Sequence, residues 1–267
     1  TSLFIEVKQH HFQVITDLIL TERQNEVKNI VEELFSKLEI LLKGCFLLEE
    51  ITPKTLATIS GFGELLSSYI ISEAAQNKFN TGYKDSRELI ITSNSFDKAQ
   101  VNFKITEKKC QDFFNNNSNQ VTVLPGFIAN TENGQSTTLG RGGSDYSAAI
   151  YAASLNAKEL QIWTDVSGMY TANPSVVKQA FPIPHISYQE AMELSHFGAK
   201  VLYPPTLQPS LQKNIPIYIK NTFQPTEKGT LITKKAVSKN GPVKGISHVE
   251  NITLLTLEGN SMVGIPG

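Results

Sequence analysis

Six consecutive residues, Gly140-Arg141-Gly142-Gly143-Ser144-Asp145, combine features suited to holding an anionic ligand. Glycines let the backbone approach a ligand closely, and a helix following such a loop offers its N-terminal N–H groups to an anion. An arginine in the loop can grip a carboxylate or phosphate through two parallel hydrogen bonds, and an aspartate at its end can orient a magnesium ion or a donor group. A tight turn with a solvated arginine and a helix-capping aspartate has the same composition, so the loop alone leaves both readings open.

Three further groups carry chemistry. Trp163-Thr164-Asp165-Val166-Ser167-Gly168-Met169-Tyr170 closes a strand pattern, and ligands of open α/β sheets bind outside the carboxyl ends of strands. That favours Thr164 and Asp165, with Tyr170 able to pack on a base or ribose. Lys200 lies among the apolar and small residues Phe197-Gly198-Ala199 and Val201-Leu202, and a lysine reaching transferring phosphates stabilises developing charge. Glu64, in Gly61-Phe62-Gly63-Glu64, can present a carboxylate to an amino group, or simply favour a helix N-terminus through the dipole. The sequence has no G-x-x-x-x-G-K-[ST] loop, no complete G-x-G-x-x-G, and no H-R-D or D-F-G pair. Any nucleotide chemistry here must use another architecture.

The elements that would position these groups are legible in outline. Val27, Ile30, Val31, Leu34, Leu38, Leu41 and Leu42 recur at helical spacing. Thr52-Pro53 reads as an N-cap followed by proline at the first helical position. It opens a helix expected to turn Leu56, Ile59, Leu66, Tyr69 and Ile70 inward. Leu89 to Thr92 is a short strand pattern, and Asn115 to Asn119 a polar loop. From Val121 strands alternate with helices. Val121 to Leu124, Leu160 to Trp163, Ile217 to Ile219 and Leu231-Ile232 read as strands, and Asn133-Gly134 as a hairpin turn. Ser187 and Glu190 have the spacing of a capping box. This alternation predicts an α/β fold with a mainly parallel central sheet and helices on both faces. A polar stretch from Lys234 to Pro242 marks a boundary, beyond which Ile252 to Leu257 is a strand pattern.

Bulk composition removes other classes. In 267 residues the formal net charge is −1, which gives no footprint for nucleic acid or an anionic membrane. Hydrophobic residues make up 40% and charged residues 18%, an ordinary globular balance. No apolar run approaches the roughly 18 residues of a membrane span, and no signal-peptide pattern opens the sequence. The two cysteines, Cys45 and Cys110, have no metal-ligand spacing and point to a reducing, cytoplasmic compartment. Adjacent His10 and His11 face different sides of a helix, so no metal site is expected.

Taken together and in this order, the motifs resemble the aspartokinases of the amino-acid kinase family. The resemblance rests on GFGELLS (61–67), PGF (125–127), TTLGRGGSDYSAA (137–149), IWTDVSGMYTANP (162–174), SYQEAMELSHFGAKVLYP (187–204) and EKGTLI (227–232). It implies ATP-dependent phosphorylation of the side-chain carboxylate of L-aspartate to 4-phospho-L-aspartate, with Mg2+ as cofactor, at the start of lysine, threonine and methionine biosynthesis. By resemblance Glu64 would meet the α-amino group of aspartate. Arg141 would clamp its α-carboxylate, with Phe127 and Ser144 nearby. Asp145 would help organise magnesium and phosphates, Thr164, Asp165 and Tyr170 would line the nucleotide site, and Lys200 would reach it from the other side. Arg141, Asp145 and Lys200 are then the expected catalytic residues.

The wording of the motifs is most similar to the kinase part of bifunctional aspartokinase–homoserine dehydrogenases. Residues 1–235 are expected to be the catalytic domain without the family's initial strand and Lys-Phe-Gly-Gly-Thr-Ser loop, and 243–267 the start of an ACT-type regulatory region. The parent is expected to be longer at both ends and a homo-oligomer. Asn173-Pro174-Ser175 stands where the family reads Asp-Pro-Arg, and Tyr203 where it has histidine. Two rivals stay open on the sequence: another amino-acid kinase, and an amino-acid-sensing fragment without turnover.

Overall fold

The architecture comes from a computed structural model, which describes residues 2–96, 99–196, 203, 207–236, 243–248 and 253. Lys200 and most of the 252–257 strand pattern lie outside the described residues.

Two helices, α1 (Ser2–Leu18) and α2 (Thr21–Leu48), open the fold. Ile15, Ile19, Val27, Val31 and Phe35 form their shared seam and meet Leu66 and Ile70 of α4 (Phe62–Ala75). An ion pair from Arg23 to Glu73 ties α2 to α4 across the rim of that seam. Phe35 is fully buried, so truncating it to alanine would cost about 3–5 kcal/mol. Between α2 and α4 sits α3 (Pro53–Ser60), with Thr52 as its N-cap receiving the Thr55 N–H at 3.1 Å.

The single helix expected after Thr52 is therefore two, interrupted at Gly61. A Cβ there would lie 3.1 Å from Ile128 Cγ2, so the backbone itself is packed close to that side chain. The interruption resets the helical phase. Leu66 and Ile70 face the core as expected, whereas Leu56 on α3 is 54% exposed.

Three hydrogen-bonded sheets follow. In the first, β1 (Thr81–Tyr83) runs parallel to β3 (Val121–Val123). In the second, β4 (Ile128–Thr131) lies between β2 (Ile91–Thr92), parallel to it, and β5 (Ser136–Thr138), antiparallel through the Asn133-Gly134 turn. Leu89 and Ile90 belong to the approach to β2 rather than to the strand. The third sheet has the order β6-β8-β9-β7, from Leu160–Thr164, Ile217–Asn221, Thr230–Thr233 and His185–Ser187. Parallel pairing dominates, as expected of the α/β class, but it is divided among three ladders. The β8–β9 pair is antiparallel.

Helix α6 (Gly143–Ser154) links the two larger sheets. Its Ala149 and Ala152 belong to the core built on β6, β8 and β9, while its Ile150 and Tyr151 belong to the core with Leu89, Ile90, Cys110 and Ala129. One helix thus serves two cores with two faces. The remaining helices are α5 (Phe103–Asn115), capped by Asn102, α7 (Tyr188–His196) and α8 (Gln208–Gln212). The α7 capping box is reciprocal: the Glu190 N–H donates to Ser187 Oγ at 3.2 Å, and the Ser187 N–H to Glu190 Oε2 at 2.7 Å.

Residues 243–248 return to this body. The Ile246 N–H donates to Thr171 O at 2.8 Å, and Lys244 pairs with Glu190 at 2.8 Å.

Candidate functional site

The two strongest sequence motifs meet at the start of α6. Gly140 and Gly142 have φ of +70° and +68°, a left-handed conformation that glycine adopts without a Cβ penalty. These turns set the chain into α6, and Asp145 falls in the helix's first turn. The Pro125-Gly126-Phe127 loop is seated against the same turn. Ser86 Oγ, from a 3-10 turn at Ser86–Glu88, donates to Pro125 O and holds the loop from behind. A Cβ on Gly126 would come within 3.1 Å of Ser144, and one on Gly143 within 2.7 Å of Phe127 Cδ2. Phe127 itself has φ +67°, a conformation that costs a non-glycine residue about 1–2 kcal/mol. The Phe127 loop and the stretch from Arg141 to Asp145 are thus brought together. Glu64 begins the same side: it lies in the first turn of α4, whose N-cap Gly61 packs on Ile128, the residue after Phe127.

The electrostatics suit a charged ligand. Glu64 and Asp145 are both half-buried, and burial pushes each carboxyl above its ordinary value. Among the described residues neither has an ion pair or side-chain hydrogen bond to offset that desolvation. Arg141 is exposed, and no described carboxylate pairs with it. Its guanidinium lies over the Tyr203 ring, 5.3 Å from the centroid, a cation–π contact that leaves the fork's edges open.

The second half of the site stands on β6. A 12-residue helix is about 18 Å long and a five-residue strand about 16 Å. Because β6 follows α6 and packs against it, the chain climbs the helix and returns along the strand. Thr164 is the last residue of β6 and pairs with Asn221 of β8. Asp165 is exposed just beyond it, and Thr164 Oγ1 donates to Asp165 Oδ1 at 3.1 Å.

The loop carrying Tyr170 is fixed from the neighbouring strands. Asn221 Nδ2 donates to Ser167 Oγ at 3.0 Å. Thr230 Oγ1 receives the Met169 N–H at 2.8 Å and donates to Ile183 O at 2.7 Å. Gly168 has φ +115°, and a Cβ there would stand 2.9 Å from the Thr230 backbone N, so the position takes only glycine without a shift. Tyr170 is half-buried, bridged to Pro182. Sequence reasoning missed Thr230, Asn221 and Ser86, since their partners lie 39 to 61 residues away. Asn173 Oδ1 receives both the N–H and the hydroxyl of Ser175, closing a local turn.

Among the described residues no three histidine, cysteine or acidic groups cluster as a protein-only metal centre, and no helix is long and apolar enough to cross a membrane. A half-buried carboxylate without a counter-charge does fit a hard divalent cation that takes its other ligands from phosphates and water. Asp145 and Glu64 both meet that description.

Comparison with known proteins adds four findings. A model of the amino acid kinase family matches residues 8–221. The bifunctional aspartokinase/homoserine dehydrogenase 2, chloroplastic, of Zea mays is 35% identical over 268 residues, covering 98% of this chain and 29% of that protein. The bifunctional aspartokinase/homoserine dehydrogenase of Buchnera aphidicola is 38% identical over 236 residues, covering 88% of this chain and 29% of that protein. Among solved structures, E. coli aspartokinase III in complex with aspartate and ADP superposes with a TM-score of 0.80 at 31% identity, over 88% of this chain and 52% of that one. The chain thus spans less than a third of the length of these two curated relatives.

Proposed function

We infer, since this chain belongs to the amino acid kinase family, that it supplies the acceptor and nucleotide subsites of an aspartate kinase. The reaction is transfer of the γ-phosphoryl group of ATP to the side-chain carboxylate of L-aspartate, giving an acyl phosphate and ADP. The observation that carries this reading is the packing of α6: its two faces serve two cores, its first turn is seated against the Phe127 loop, and its body packs against β6, the strand that ends at Thr164. Acceptor and donor can then approach from opposite sides and meet where N–H groups and Arg141 are available.

On the acceptor side, the Arg141 fork pairs with the α-carboxylate and Glu64 with the α-ammonium. An ammonium beside Glu64 brings its carboxyl back toward the ionised form that burial disfavours. Phe127 and Ser144 wall the subsite and leave the side-chain carboxylate free to attack. On the donor side, Thr164, Asp165 and Tyr170 hold the nucleotide, and Lys200, outside the described residues, is assigned to its phosphates. Asp145 is the group that would hold Mg2+, whose contribution when bound is neutralisation of phosphate charge. The chain's own work is positioning and charge stabilisation, with no covalent enzyme intermediate.

The same proposal takes residues 1–235 as the catalytic unit and 243–267 as the entry to an ACT-type region. Two free cysteines, Cys45 and Cys110, favour a reducing intracellular compartment. Homo-oligomerisation of the longer protein would cover the exposed Phe46, Leu47 and Leu48 at the end of α2.

The test is an ATP-dependent assay of the full-length protein with aspartate, glutamate and N-acetylglutamate, the acyl phosphate being trapped with hydroxylamine. Aspartyl hydroxamate alone is the expected product. Preference for the acylated amino acid would contradict the Glu64 assignment, since such a substrate has no ammonium to pair with it.

A further inference from the structure

The Phe127 loop and the arginine loop are joined by one buried side chain outside the expected site. Ser147, one turn into α6, is 2% exposed. Its Oγ accepts the Phe127 N–H at 2.9 Å and donates to Gly143 O at 2.8 Å. Both capacities of the hydroxyl relevant to these loops are thereby used. The Phe127 backbone is left-handed at φ +67°, and the Leu139 N–H bonds Phe127 O at 2.8 Å from the other side. The strained residue is held at both its N–H and its carbonyl, and the Ser147 hydroxyl is the only side chain in that clamp among the described residues.

The geometry points to Ser147 as a positioning residue for the amino-acid subsite. It touches neither substrate in the proposed arrangement. It acts through Phe127, fixing the backbone conformation that sets the ring against Gly143 and brings Gly126 against Ser144. A serine in a helix commonly returns its hydroxyl to the carbonyl four residues earlier, and that bond alone would be unremarkable. The second bond distinguishes Ser147, because it reaches out of the helix to an N–H twenty residues away in a residue that must otherwise relax. The nucleotide loop has separate fastenings at Asn221 and Thr230, so the effect should fall on one substrate only.

This inference rests on the aspartate-kinase reading and is tested in the full-length protein with Ser147→Ala and Ser147→Thr. In Ser147→Ala the KM for aspartate should rise about tenfold while the KM for ATP stays within about twofold. Ser147→Thr keeps the hydroxyl and should recover most of the aspartate KM. Equal changes for both substrates, or a threonine variant no better than alanine, would overturn the assignment. If Ser147→Ala does not fold, Ser147→Cys keeps the volume while weakening both hydrogen bonds, and the same selective rise in aspartate KM is required. Should the wild type not use aspartate at all, the functional reading fails by itself. The positioning role is then decided by a crystal structure of the alanine or cysteine variant. Phe127 leaving the left-handed region supports it, and Phe127 remaining there overturns it.

Discussion

The two sides of α6 are built by different means. On the acceptor side the positions are set by backbone: two left-handed glycines, a left-handed phenylalanine, and contacts so close that a Cβ on Gly126 or Gly143 could not fit unchanged. On the donor side they are set by polar side chains of one sheet, with Asn221 and Thr230 fastening the loop from Ser167 to Met169. In the proposed function the acceptor is a small molecule that must present one carboxylate and hide the other, which a rigid backbone cradle can do. A nucleotide is larger and is served by strand ends whose loop needs only to be pinned at a few points. Substitutions on the two sides should therefore fail differently.

The largest expected effect is at their meeting point. Asp145→Asn should lower kcat by about 10²–10³, the usual scale for losing one group that organises transition-state charge. Stability should move the other way. Burial raises the Asp145 carboxyl in the fold, so the native state holds its proton more tightly than the unfolded chain. Stability from this group is then lost as pH rises through the window above the ordinary carboxylate value, and the ionised form is a burden at neutral pH. Asp145→Asn should melt higher than wild type at pH 7 by a few degrees at most, and the difference should shrink as pH falls toward about 4, where the carboxyl becomes protonated in both states. Calorimetry at the two pH values checks both statements, and a lower melting temperature at pH 7 would show that Asp145 has a compensating partner.

A donor-side substitution should instead cost stability and ATP together. Thr230→Val leaves the Met169 N–H and Ile183 O without their buried partner, a loss of about 1–3 kcal/mol measurable by denaturant unfolding. It should weaken ATP binding and leave aspartate binding in place. A variant with the reverse pattern would dissolve the division between the two sides.

The smallest effect concerns Ser175, exposed in the Asn173 turn. Ser175→Arg should tighten ATP binding by about 1 kcal/mol, roughly fivefold, by adding a charge-assisted hydrogen bond to phosphate. No change in titration calorimetry would mean that this turn faces away from the nucleotide.

What could be read from the sequence was whatever is local. Thr52 with Pro53, Asn133 with Gly134, and Ser187 with Glu190 each complete their hydrogen bonds within a few residues, and each is found where its spacing predicts. The arginine loop at the start of α6 was legible for the same reason. The division of one helix into α3 and α4 was not: it falls at Gly61, which packs closely on Ile128, far along the chain. Of α1 only the placing of His10 and His11 on a helix was legible, not its extent, although Ile15 and Ile19 carry a helical spacing and join Val27 and Val31 in one core. Phe127 could be assigned to the site by resemblance, but no rule of composition predicts a left-handed phenylalanine. That conformation depends on Ser147 and Leu139 reaching it from separate elements.

The central claim is that Arg141 serves the amino acid and the end of β6 serves the nucleotide. Arg141→Lys tests it most directly, because lysine keeps the charge and loses the planar fork. Two-substrate kinetics of this variant in the full-length protein should show aspartate use impaired by about tenfold or more, on the order of 1.4 kcal/mol. The ATP dissociation constant measured without aspartate should be unchanged. A fall in ATP affinity with aspartate kinetics intact would make Arg141 a phosphate ligand and contradict the account.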